Sequence, residues 1–130
     1  MSFRIIQLEE LEVSVKENNK NISLSFEDAF IKKTMDDAEE KTLWKQNGSI
    51  EMKGVLQKEG DFDSKLKIIS IDVSYDFYTY RNILILPFIK KGDIELELKH
   101  TKGLLNIKCN EIEILLIDQP KYIKHINKKE

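Results

Sequence analysis

The chain has little of what usually marks an enzyme, a secreted protein or a membrane protein. Among 130 residues there is one cysteine, and there are two prolines and five glycines. A single cysteine, Cys109, excludes an internal disulfide, and a lone reduced thiol fits the cytoplasm. No apolar signal-peptide core follows Met1, and no apolar run is long enough to span a bilayer. Only two histidines occur, His100 and His125. Neither they nor Cys109, Asp72 and Asp76 have the close ligand spacing of a metal site. Glycine-rich phosphate loops, nucleophile elbows and nucleotide-binding motifs are all missing. The expectation is therefore no catalytic residue, no metal and no cofactor, with an enzyme disfavoured.

Charge of one sign is missing as well. Lys and Arg number 21 against 23 Asp and Glu, a net charge of -2. So even a balance offers no electrostatic ground for nucleic acid or an anionic membrane as partner. Linkers, internal repeats and low-complexity segments are absent. The length suits one domain over residues 1–130, large enough to bury about two-thirds of its unfolded surface.

What is present is alternation. In residues 93–117, Ile94, Leu96 and Leu98 alternate with Glu95, Glu97 and Lys99, and Ile112 and Ile114 alternate with Glu111 and Glu113. A period of two puts aliphatics on one face of a strand and charges on the other. Lys102-Gly103 reads as a two-residue hairpin loop, which sets Leu98 opposite Ile107 and Leu96 opposite Cys109. At Asn110-Glu111 the inward set changes from odd to even numbers. A second tight turn is the preferred reading there, and a β-bulge in one long strand is the alternative.

The same pattern runs through the rest of the chain. Residues 3–8 read as a first strand. Leu11, Val13 and Val15, a turn at 18–21, and Ile22, Leu24 and Phe26 read as a hairpin. Residues 34–43 are the one helix-like stretch, though an ordered loop fits equally. Asn47-Gly48 reads as a turn before a strand from Ile50 to Leu56, in which Gly54 marks a bulge or a close backbone approach. Another turn falls at Glu59-Gly60-Asp61. Ile69, Ile71, Val73 and Tyr75 alternate again. Residues 83–89 are apolar on both faces, as in a strand covered on both sides, with Pro87 marking an edge or a bulge. Lys91-Gly92 reads as a turn that sets Ile85 opposite Leu98. The fold class expected is all-β: a two-sheet antiparallel sandwich or a flattened barrel of 8–10 short strands, with at most one or two short helices. Ten-stranded lipid-binding barrels are of similar length, but they carry a helical pair after the first strand that this sequence lacks.

Candidate binding residues are aromatic. Tyr75, Phe77, Tyr78 and Tyr80 fall within six residues and could stack on sugar or nucleobase rings. The competing reading buries Tyr75, Phe77 and Tyr80 at the end of the core and leaves Tyr78 outside. Trp44, beside a turn, is either a ligand anchor or the lid of a core. His100 faces inward near a turn and reads as a rim histidine. Cys109 reads as a small buried hydrophobe. Glu95, Glu97, Glu111 and Glu113 could act as paired carboxylates, but among Lys99 and Lys108 they read as a solvated face. The function expected is that of a non-catalytic binding or interaction module in a small, soluble, bacterial-type protein, with a protein partner or self-association. The alternative is a carbohydrate or other small-ligand binder using Tyr75, Tyr78, Tyr80 and Trp44.

Overall fold

The alternating segments become strands. The computed structural model describes residues 3–34, 41–60 and 63–126. These form nine strands and no helix: β1 (Phe3–Gln7), β2 (Glu12–Asn18), β3 (Asn21–Thr34), β4 (Lys41–Glu59), β5 (Lys65–Tyr75), β6 (Tyr78–Arg81), β7 (Ile83–Leu86), β8 (Ile89–His100) and β9 (Gly103–Ile126). All pairings are antiparallel within one sheet, in the order β2-β5-β8-β9-β4-β3-β1-β7. β6 pairs with β5, and β2 pairs with β3 as well as with β5. The stretch read as a helix, 34–43, falls mostly on 35–40, outside the described residues. Thr34 and Lys41, on either side of it, are paired strand residues.

The inward residues of every strand meet in one core. Ile6, Leu24, Ile50, Met52, Ile71, Leu96, Leu98 and Ile107 are essentially inaccessible to water. Leu96, Leu98, Ile107 and Ile114 share the buried face expected of them, but the register differs by two residues. Leu98 lies opposite Leu105, and Leu96 opposite Ile107. The loop is Thr101-Lys102, not Lys102-Gly103, and the Lys102 N–H donates to Nδ1 of His100 at 3.1 Å. A slip of two preserves the faces, so alternation alone could not detect it. At 110–111 there is no turn: β9 runs straight through, and its buried set passes from Cys109 to Ile112. The strand is continuous, as in the less favoured reading, but the extra residues sit in its neighbours: the ladders shift between Lys91 and Ile94 of β8 and between Val55 and Gln57 of β4.

Two turn signals prove to be strand interior. Asn47-Gly48 lies within β4, where a Cβ on Gly48 would sit 2.3 Å from the Leu115 carbonyl oxygen and 3.0 Å from the Phe26 ring. Glycine is there to let β9 and Phe26 approach, not to reverse the chain. Asn47 ties together bulges in the strands on both sides. It accepts from the Asp28 N–H at 2.9 Å and donates to Asp118 Oδ2 at 2.8 Å. Gln46 donates to the carbonyl of Asp118 at 2.8 Å. Asp28 and Asp118 both have positive φ. The β3–β4 and β4–β9 ladders therefore shift register at the same level, between Phe26 and Ala29 and between Lys45 and Asn47. Lys91-Gly92 is likewise interior to β8. Ile85 pairs with Ile5, not Leu98. Gly54 has the positive φ and close approach, to Asn110, that its position in a strand suggested.

Residues 83–89 are not one strand covered on both sides. β7 stops at Leu86, a cis Leu86-Pro87 bond follows, and β8 begins at Ile89. Leu84, Leu86 and Phe88 are buried while Ile83, Ile85 and Ile89 are exposed. β7 ends the sheet order, the edge position that proline favours.

Truncating Leu98 to Ala should cost about 2–5 kcal/mol, the range for fully buried aliphatics. Glu97→Ala, one residue away on the exposed face, should cost about 0–1 kcal/mol. Denaturant titration of the two variants measures the contrast, and equal losses would mean that both faces of β8 are covered.

Candidate functional site

The expected aromatic site is divided. Tyr75 lies directly opposite Tyr78 and Val73 opposite Tyr80 across the β5–β6 hairpin, so the three tyrosines share one face. Tyr75 and Tyr80 pack against the core. Tyr80 meets Phe88 edge to face, with ring centroids 5.2 Å apart, and Lys90 Nζ lies 5.6 Å from the Tyr75 centroid. Tyr78, at the hairpin end, is 68 % exposed. Phe77 does not plug the core: it stands fully exposed in the Asp76-Phe77 turn, whose Asp76 has positive φ. Trp44 sits in β4, packs on the core and meets Tyr122 of β9 edge to face at 5.3 Å. Its Nε1–H donates to Thr42 Oγ1 at 2.8 Å.

The polar candidates do not converge. His100 is buried, with Nδ1 accepting from the Lys102 N–H and Nε2 without a hydrogen-bond partner among the described residues. Nearby, the Lys102 ammonium bonded to Asp63 holds that carboxyl below its usual range. Glu111 is paired with Lys53 at 3.5 Å and Lys91 at 3.6 Å. Glu95 lies opposite Lys108, and Glu51 opposite Glu113. No group of three or more metal-capable side chains occurs among the described residues.

Sequence reading missed two surface features. The first is an open groove of about 1100 Å³ on the outer face of β2, β3 and β4. Its floor is a cross-strand row of Ser14, Ser25 and Ser49. Phe30 and Ile117 contribute to its lining, with the carboxylates Glu9, Glu10, Glu12, Glu27 and Asp28 and the lysines Lys65 and Lys67.

The second is the end of the sheet beyond the aligned bulges, where β7, β1, β3, β4 and β9 lie side by side. It is open: past Ile114, no described residue pairs with the far edge of β9. Residues 3–7, 29–34, 41–46, 83–86 and 119–126 carry Arg4, Lys32, Lys33, Lys41, Lys45, Lys121 and Lys124 and no Asp or Glu. None of these seven cations forms an ion pair with a described residue. The pairs formed elsewhere, such as Arg81 with Asp72 and Lys67 with Glu10, lie outside this end. The other described residues hold more carboxylates than cations, so the even overall balance conceals a segregation. Exposed apolar side chains are interleaved with the cations: Phe3 at 45 %, Phe30 at 48 % and Ile85 at 55 %. Only strand register brings residues 4, 32, 45 and 121 together, so no local signal in the sequence could have found the cluster.

No protein-family model, no curated protein and no solved structure matches the chain. No helix among the described residues is long and apolar enough to cross a membrane.

Burial pushes the Cys109 thiol up to about 11 from 9.0, against a small opposing effect of a hydrogen bond to the backbone of Glu111. The thiolate is the reactive form, so native Cys109 should resist iodoacetamide near neutral pH and react once the chain is unfolded. The unfolded thiol ionises first, so between pH 9 and 11 the wild type should lose stability that Cys109→Ala keeps. Parallel denaturant titrations across that window measure the difference.

Proposed function

We propose that the chain is a non-catalytic binding module and that it engages a macromolecular partner through the open end of its sheet. The observation that carries this reading is the outer face of that end. There Phe3, Ile5, Phe30, Leu43, Ile83 and Ile85 share one side of four adjacent strands, and Phe3, Phe30, Ile83 and Ile85 are exposed. Contiguous exposed apolar surface of this kind marks interaction sites. A module working in the cytoplasm accords with one buried, unpaired thiol. For the overall shape we favour a flattened barrel over a two-sheet sandwich. Support comes from β2, which pairs with both β3 and β5, so that the ladder through β5, β8, β9, β4 and β3 returns to its start.

The test is capture from the source cell's lysate on the immobilised full chain and on a Phe30→Ser/Ile85→Ser variant with an unchanged melting temperature. The wild type should retain macromolecules that the variant loses, and hydrogen-exchange protection in the complex should fall on β1, β3 and β7. Equal retention by both proteins would overturn the assignment. Sedimentation of the free chain covers self-association, since a dimer dispersed by the same variant would make a second copy the partner.

A second reading has its own support. Tyr75, Tyr78 and Tyr80 share a face with Tyr78 exposed at its end, which suits a small ring-bearing ligand such as a carbohydrate. Trp44 would serve it only as a separate anchor, because its ring partner is Tyr122. On a glycan array this reading expects signals that Tyr78→Ala abolishes. Signals indifferent to that substitution would discard it.

A further inference from the structure

Resting on the reading that the open end is the binding end, we infer that its outer face takes single-stranded nucleic acid, with lysines on the phosphates and exposed rings beneath the bases. The register builds the surface. Phe30, Lys45 and Lys121 form one cross-strand row, and Ile5, Lys32, Leu43 and Lys124 form the next. Phe3, Thr34, Lys41 and Ile126 form a third. Five lysines therefore occupy three adjacent strands of one sheet face, with Phe3 and Phe30 exposed among them. Adjacent strands are about 4.8 Å apart, so five of them make a surface about 20 Å wide.

Three features select the ligand. The first is like charge directly opposed. Lys45 faces Lys121 on this side of the sheet, and Arg4 faces Lys33 on the other. Such pairs destabilise a ladder, and no described carboxylate relieves them. A phosphate between the lysines would. The connection 35–40 and the tail 127–130 carry five carboxylates and two lysines, which still leaves this end four positive side-chain charges in excess. The second feature is the exposed rings. Unpaired bases stack on aromatic faces whatever their identity, whereas a duplex keeps its bases stacked on one another and would leave Phe3 and Phe30 without partners. The third is the boundary. Glu27 and Asp28 stand where this face meets the groove, so phosphates are repelled at that border and a strand is directed along the lysine rows.

The test uses the full chain and a fluorescein-labelled homopolymer, oligo(dT) of about 20 residues, read by anisotropy. If Lys32, Lys45, Lys121 and Lys124 each neutralise one phosphate, affinity should fall about 50-fold between about 50 and 200 mM salt. Lys45→Gln/Lys121→Gln should weaken binding at least about tenfold and flatten the salt dependence by roughly 1.4 in slope. Phe30→Ser should weaken binding about fivefold or more and leave the slope unchanged, since stacking releases no counterions. Lys99→Gln/Lys108→Gln, on the exposed face of β8 and β9, should change neither. Each variant's melting temperature confirms that it folds. No oligo(dT) binding, binding only to phosphatidylserine vesicles or polyglutamate, or equal weakening by the Lys99/Lys108 pair would overturn the inference. If oligo(dT) fails to bind while lysate capture still depends on Phe30 and Ile85, the ligand class falls and the binding end stands. If that capture fails as well, both fall.

Discussion

The ladder between β4 and β9 runs from Lys41 opposite Ile126 to Glu59 opposite Asn106, and the rest of the sheet is hung on its two sides. β3 pairs along the other edge of β4, and β8 along one half of β9. A ladder this long would be stiff if it were regular. Its register shifts at three places, and the one between Lys45 and Asn47 coincides with the shift between β3 and β4. Asn47 and Gln46 satisfy backbone and side-chain groups at that level, and Gly48 removes the side chain that would hold the strands apart. Bulges twist and bend a sheet locally, so aligning them across neighbouring ladders gives a line of bending. On one side of the line lies the body of the sheet. On the other lies the open end.

That division also sorts the charge. In the body, Lys53 and Lys91 flank Glu111 and Arg81 chelates Asp72, while Glu51, facing Glu113, is bonded to Ser23. At the open end cations face cations. Interspersed opposite charges minimise long-range fields, whereas segregated ones create a field that extends about a Debye length into solvent. The same residues, arranged by a different strand order, would have produced an electrically featureless surface.

Whatever depends on neighbours along the chain was legible in the sequence. Alternation in β2, β8 and β9 marked which side chains face the core, and Gly54 and the turn at 18–21 were readable from backbone preference alone. In β5 it held from Ile71 on, but the ladder shifts between Ile68 and Ser70, so Ile69, read in the inward row, is exposed and Ile68 is buried instead. Whatever depends on neighbours across the sheet was not. Asn47-Gly48 and Lys91-Gly92 carry turn chemistry, but packing gives them other work: Leu115 and Phe26 crowd Gly48, and Tyr75 approaches Gly92. The exposure of Ile83 and Ile85 could not be told from a buried run, because an apolar stretch reads alike whether one or both faces are covered. Among the candidate site residues, the shared face of Tyr75, Tyr78 and Tyr80 comes from the turn at Asp76-Phe77, whereas alternation along the chain groups Tyr75 with Phe77. The joining of Trp44 to Tyr122 was not readable, since four whole strands, β5 to β8, and most of β4 and β9 lie between them in sequence.

The far edge of β9 from Leu115 to Ile126 has a further consequence, which concerns growth. A bare strand edge with free amides and carbonyls is a template onto which other chains can add without end. This one is interrupted. Asp118 turns the backbone into the left-handed region, Pro120 has no amide proton to give, and Lys121 and Lys124 follow. A strand laid along it would lose its ladder within a few residues and meet charge. An edge that no described strand pairs with can therefore avoid seeding a fibre, and Pro120 guards against that most directly.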